Sequence, residues 1–196
     1  MKSSVYLNTL TKTAIMKKKI IGSIVGGLIL FIWQALSHTV LMLHADQEKY
    51  TANQDAILNF LGTQLQEEGD YVMPNFPPGT SMQDMQKQGE AFAGKPWARI
   101  SFHKVYDMNM TMPLVRTFLV DFVLVLLLCW ILFEFAKAGF GKIFLCSLIV
   151  GLIAFLNQAY TGYIWYHTAG IYADLTDAVV SWGLCGIWLG WWLRKK

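Results

Sequence analysis

Four long apolar runs limit what this chain can become. They cover residues 20–43, 114–135, 143–166 and 175–193. A helix needs about 20 mostly apolar residues to cross a hydrocarbon core of roughly 30 Å. The fourth run is the shortest and carries Asp177 near its start. Composition agrees, with 55% hydrophobic and 15% charged residues, against roughly 25% charged in soluble domains. The fold class expected is an all-α membrane protein. It is a bundle of four transmembrane helices, with a small α+β extracytoplasmic insertion between the first and second.

Charge orders the segments. Lys2, Lys12, Lys17, Lys18 and Lys19 precede the first run, Lys137 and Lys142 fall between the second and third, and Arg194, Lys195 and Lys196 follow the fourth. Glu134 is the one acid among them. Lysine and arginine near span ends mark the cytoplasmic side. The expected order is therefore a cytoplasmic tail (1–19), span one (20–43), an extracytoplasmic insertion (44–112) and span two (113–135). A cytoplasmic loop (136–142), span three (143–166), an outer loop (167–174), span four (175–193) and a cytoplasmic C-terminus (194–196) follow. Membrane topology accounts for the basic ends, so no nucleic-acid partner is expected.

Residues 1–15 show no clear period and are expected to lack structure. Met16 stands directly before Lys17-Lys18-Lys19, so it reads as an alternative translation start. The basic stretch and apolar run also resemble a signal peptide, with Ala35-Leu36-Ser37 at a cleavable position. The run is too long for that and continues past the site, so an uncleaved span is expected. Cys129, Cys146 and Cys185 all fall inside apolar runs. They read as packing residues, and no disulfide framework is available to the insertion.

Gly22 and Gly26 on the first span, and Gly186 and Gly190 on the fourth, have the spacing that lets helices approach closely in lipid. Contact between spans one and four follows as an expectation. In the insertion, Thr51-x-x-Gln54 reads as a capping box opening a helix with Ala56, Ile57, Phe60, Leu61 and Leu65 on its apolar face, ended by Gly69. Tyr71 to Met73 reads as a short strand. Ser81 caps a second helix running to about Phe92, and Arg99 to Val105 alternates like a half-buried strand. Thr111 and Pro113 start span two in cap and first-turn order. So small a region makes a marginal core alone and is expected to dock on the spans as a lid.

Polar groups inside spans are costly and mark candidate sites. Here they are Gln34, Ser37 and His38 on span one, Asp121 on span two, Asn157 and Gln158 on span three, and Asp177 and Ser181 on span four. Given the topology, nearly all collect in the outer half. Gln34, His38, Asp121, Asn157, Gln158 and Asp177 are the ligand- or ion-binding candidates. A second set is His103, Met108, Met110 and Met112. Thioethers at every second position would share one side of an extended segment, and soft sulfur favours Cu(I); gap-filling is the competing role. His44, His103 and His167 could join His38 at an outer metal or haem site, but only His38 lies well inside a span. There is no nucleophile elbow, Gly-rich phosphate loop, His-Glu-x-x-His run or Cys-x-x-Cys pair, so no enzyme and no resident cofactor is expected.

Three stretches carry a resemblance. They are Phe31-Ile32-Trp33-Gln34-Ala35-Leu36-Ser37-His38, Gly94-Lys95-Pro96-Trp97-Ala98-Arg99-Ile100, and Asp177 to Gly186 running on to Gly190-Trp191-Trp192. The chain resembles an uncharacterised family of four-span bacterial integral membrane proteins, a domain of unknown function. The resemblance implies a fold and an inner-membrane location, and no activity. The function expected is a non-enzymatic binding or accessory protein of the bacterial inner membrane. Its partners would be the lipid bilayer and either another membrane protein or a second copy. Alternatives are an ion- or proton-coupled transport component using His38, Asp121 and Asp177, and extracytoplasmic copper handling by the methionine-rich segment.

Overall fold

The computed structural model describes residues 2–135 and 138–194, with side chains from Thr13 onward. Lys137, Lys195 and Lys196, and the side chains of Lys2 and Lys12, all counted above in the charge pattern, lie outside the described residues. The elements in order are α1 (Lys2–Thr39), α2 (Gln54–Gln64), β1 (Gly69–Met73), α3 (Met82–Glu90), β2 (Ala98–Phe102), α4 (Thr111–Glu134), α5 (Phe140–Phe155), a π turn (Leu156–Tyr160), α6 (Thr161–Tyr166) and α7 (Ile171–Trp192). They form two compact units, one from Tyr50 to Met108 and one from the remainder of the chain.

In the larger unit, three helices are long and apolar enough to cross a membrane: Thr13–Thr39, Thr111–Glu134 and the continuous helix Phe140–Tyr166. Their apolar side chains face outward. Ile20, Ile24, Leu28, Ile32 and Leu36 form an exposed stripe at every fourth position of α1, which is one face of a helix. Leu119, Val120, Val123, Leu124 and Leu127 on α4 do the same. A surface of this kind suits hydrocarbon rather than water.

α7 differs. It carries Asp174 and Asp177 in its first two turns and falls below the apolarity of those three helices. It is instead well enclosed by protein, burying Ser181, Trp182, Gly183, Cys185, Gly186, Leu189 and Gly190. α7 packs on α5 and on α1, and α1 packs on α4. Leu30, Val125, Leu128, Cys129, Leu132, Ile143, Trp182, Cys185 and Leu189 make one core across all four.

Small residues set these approaches. A Cβ on Gly22 would meet Leu189 and Trp192 of α7, and one on Gly26 would meet Val125 of α4 and Cys185 of α7. The glycines of α7 face the other way: Gly186 lies against Ser147 and Phe144, and Gly190 against Phe140, all on α5. The first and last long helices do touch, then, but only the α1 glycines serve that contact. Indole donors tie the same pair, Trp188 Nε1 to the Gly22 carbonyl at 3.1 Å and Trp192 Nε1 to that of Lys18 at 3.0 Å.

Several boundaries differ from the sequence reading. α1 begins at Lys2, so the N-terminal tail expected to lack structure is helical; no Gly or Pro interrupts it before Gly22. It ends at Thr39, and the chain then reverses through Met42 in the left-handed region (φ 49°). α4 starts one residue early, with Met110 at the cap position and the Thr111 N–H donating to Asn109 Oδ1 at 3.0 Å. A π turn interrupts the third apolar run, with Thr161 Oγ1 donating to the Leu156 carbonyl five residues back.

In the smaller unit, β1 and β2 pair antiparallel with Tyr71 opposite Ile100. The Ser81 hydroxyl caps α3 by accepting from the Asp84 N–H. The Thr51–Gln54 capping box does not form. Asn53 holds the N-cap position of α2 without a side-chain bond, and Thr51 Oγ1 instead accepts from the Asn53 N–H. α2 ends at Gln64 rather than at Gly69, which opens β1.

Gly27 is the tightest of the α1 approaches to backbone, since a Cβ there would sit 2.9 Å from the Phe122 backbone of α4. Gly27→Leu therefore costs about 1–3 kcal/mol through overpacking, read as reduced resistance to denaturation in detergent. Gly62→Ala, which meets nothing within 4 Å, leaves that resistance unchanged or slightly raised.

Candidate polar cleft

Asp177, in the second turn of α7, gathers polar side chains from two directions. Its Oδ1 accepts from Ser37 Oγ at 2.6 Å and from Trp33 Nε1 at 2.9 Å, both on α1. Trp33 and Ser37 are four residues apart and share a helix face, so one stretch of α1 supplies both donors. Asp177 Oδ2 faces His44 Nε2 at 2.9 Å. Ser181, one turn further along α7, donates back to the Asp177 carbonyl.

His44 arrives there because α1 stops. The reversal after Thr39 carries it back over the helix end, where its ring stacks on that of His38 with centroids 3.9 Å apart and planes at 14°. Its side chain is only 9% exposed. Nδ1 is buried with no hydrogen-bond partner among the described residues, and the nearest carboxylate, Asp174 Oδ1, lies 3.8 Å away. Asp174 is in turn held by Gln47 Nε2 at 3.2 Å.

These groups line an open cleft of about 780 Å³. α1 contributes Gln34 and His38, the reversal His44, Gln47 and Glu48, the π turn Gln158, and α7 Asp174, Asp177 and Ser181. The π turn takes part directly, since its extra residue shifts the register of the helix at Gln158. Such turns recur at functional sites. Three carboxylates and two imidazoles line the cleft, and among the described residues no lysine or arginine does.

Of the six candidates read from the sequence, Gln34, His38, Gln158 and Asp177 line this cleft. Asn157 is exposed and is not part of its wall. Asp121 is buried on α4, 2% exposed, and accepts from Gln34 Nε2 at 3.3 Å. It stands one hydrogen bond behind the wall. The methionine set does not keep the geometry argued for it. Met110 has helical backbone and Met112 lies within α4, so these two are neighbours at i and i+2 on a helix and face different ways. Met108, Met110, Met112 and His103 are all exposed.

Trp33, Gln47 and Asp174 were not singled out in the sequence, and His44 only as one of several histidines. Trp33 reads as an ordinary apolar residue of a span. The return of His44 depends on a left-handed Met42, which no glycine or asparagine announces. Spacing gave one usable hint, since Trp33, Ser37 and His38 fall within two turns.

Compared with known protein families, with curated proteins and with solved structures, the chain matches none.

Burial alone would lower the pKa of His44. The hydrogen bond to Asp177, the neighbouring Gln47 amide and the charges of Asp177 and Asp174 outweigh it, so the net shift is upward from 6.5. A histidine raised on folding contributes stability that is complete below its unfolded pKa and lost as pH rises through its folded one. The detergent-solubilised chain should therefore lose thermal stability as pH climbs above 6.5, the value from which His44 is raised. His44→Gln should flatten that slope; an unchanged slope would mean that another group is responsible.

Proposed function

We propose that the chain is a four-span bacterial inner-membrane protein, with both termini cytoplasmic, that binds a small cation in the cleft around Asp177. The observation carrying this reading is the convergence of polar groups from α1, the following reversal, the π turn and α7 on one open cavity. Three of its groups are carboxylates, and no lysine or arginine among the described residues competes for them. Opposite charge stabilises a bound ion most where solvent is partly excluded. The basic residues before Ile20 and at Arg194 support a cytoplasmic position for the opposite ends of α1 and α7 under the positive-inside rule. The cleft then opens on the outer side. α7 serves as the fourth span because its polar first turns face this cavity and its glycines face α5, so protein rather than lipid surrounds them.

The role is binding, as a non-enzymatic accessory protein. The hydroxyl beside the Asp177 carboxylate, that of Ser37, is fully buried and does not line the cleft, and the Ser181 hydroxyl, which does, is engaged with the Asp177 carbonyl. A second reading, ion-coupled transport, is favoured by Asp121. This buried carboxylate sits one hydrogen bond beyond Gln34, with Oδ2 unpartnered among the described residues. It offers a deeper stop for an ion that enters the cleft.

A thermal-shift series on the full chain in mild detergent tests the binding reading. The probes are Mn²⁺, Co²⁺, Zn²⁺, guanidinium, spermidine and tetramethylammonium, with sulfate and citrate as anionic controls. At least one cation should stabilise the wild-type chain, by about 2.7 kcal/mol at a hundred times its Kd. The effect should shrink in Asp177→Asn, while the anions do nothing. Stabilisation that survives Asp177→Asn in full, or none with any cation at millimolar concentration, overturns the reading.

A further inference from the structure

We propose that the cation is a divalent transition-metal ion, held by His38, His44 and Asp177. This rests on the cation-binding reading above and narrows it. One ligand atom from each of the three residues lies within 4.8 Å of the others. Two imidazoles and one carboxylate are the borderline donor set that Zn²⁺, Co²⁺ and Fe²⁺ take, whereas Ca²⁺ and Mg²⁺ prefer oxygen throughout. Three protein ligands on an open cleft leave a position for water or a further molecule.

The surroundings of the three residues fit ligation in detail. Trp33 and Ser37 both donate to Asp177 Oδ1, which orients the carboxylate and leaves Oδ2 turned toward His44. The 2.9 Å between Oδ2 and His44 Nε2 falls about half an ångström short of the roughly 3.4 Å between tetrahedral donors at bonds of about 2.1 Å, so a small outward shift of the ring would admit the ion. The ion would take the place of the proton now between those atoms. The neutral ring moves its one hydrogen from Nε2 to Nδ1, which frees the Nε2 lone pair for the ion.

This accounts for the unpartnered nitrogen. His44 Nδ1 is buried without a hydrogen-bond partner among the described residues, yet Asp174 Oδ1 waits 3.8 Å away, tethered by Gln47. A ligating histidine usually gives its other N–H to a carboxylate or carbonyl, which fixes the ring and raises its basicity. Asp174 is placed to be that partner once the ring carries a proton on Nδ1. His38 is exposed at the lip of the cleft and stacked on His44 rather than edge-on to a common point. It therefore completes the set by tilting out of the stack. The 4.8 Å spread must contract to about 3.4 Å for tetrahedral donors, and His38 is the ligand free to move.

Visible absorption of Co²⁺ added to the full chain in mild detergent tests this. The wild type should take up one Co²⁺ per chain with a ligand-field spectrum that Zn²⁺ abolishes. His38→Ala and His44→Ala should each weaken binding at least about tenfold, and Asp174→Asn by about ten- to a hundredfold, as for a partner that touches the ligand and not the ion. His38 is exposed, so His38→Ala tests the site without disturbing a buried group; helicity and thermal melting are followed in every variant. Met108→Leu, Met110→Leu and Met112→Leu combined should leave Co²⁺ binding unchanged. Absence of Co²⁺ uptake by the wild type overturns the metal centre, and so does full uptake in the folded His38→Ala, His44→Ala double variant. If spermidine or guanidinium still stabilises the chain in an Asp177-dependent way, the cation cleft stands and only its metal occupant fails. If no cation acts, both fail.

Discussion

The Asp177 carboxylate accepts hydrogen bonds from Trp33, Ser37 and His44, and the arrangement of the larger unit depends on that convergence. An acid in the second turn of an otherwise apolar helix is costly if it meets lipid, by several kcal/mol at mid-bilayer depth on insertion scales. Here it meets donors from α1 on Oδ1 and from the reversal on Oδ2. The same bonds decide which face of α7 turns toward α1. They also explain why α7 can be the least apolar of the four long helices. Its polar side chains are answered by protein, and its glycines admit α5 closely enough that little of its backbone is left to any solvent.

Packing and chemistry are joined through glycine. Gly22, Gly26 and Gly27 bring α1 against α7 and α4, Gly186 and Gly190 bring α7 against α5, and Gly151 seats Trp182 and Ala178. These approaches hold α1 and α7 close enough for Trp33 and Ser37 to reach Asp177. They also fix the distance across which the cleft opens toward Gln158 on the π turn. Large residues at these points would separate the helices before they altered any polar group.

Much of the helical framework could be read from the chain, because apolar runs of span length admit few structures. Three helices of membrane-crossing length lie where the runs predict, while the fourth run gives a helix whose mean hydropathy is diluted by Asp177 and by Gly183, Gly186 and Gly190. The strands at Tyr71 and Ile100, and the Ser81 cap, were legible from local pattern. The site was only partly so. Gln34, His38, Gln158 and Asp177 stand out as polar groups in apolar surroundings. Trp33 does not, since its role depends on one N–H that hydropathy ignores. Asn157 and Gln158 look equivalent in sequence and both are exposed, and only the helix register, shifted by the π turn, puts Gln158 on the cleft wall and Asn157 off it. The methionine triplet shows the opposite error: its alternation implied an extended strand, but helix α4 starts within it.

The account turns on direct coupling between α1 and α7 through Asp177, and a double-mutant cycle measures that coupling. Ser37→Ala, Asp177→Asn and their combination are compared for unfolding free energy in detergent. Hydrogen bonds between membrane helices couple by about 0.6 kcal/mol on average and reach about 1.7, and the short, charge-assisted Ser37–Asp177 bond belongs at the upper end. A coupling of about 1 kcal/mol or more is the predicted result. Additive effects, within about 0.3 kcal/mol, would contradict it and leave Asp177 as an isolated acid rather than the point where the helices meet.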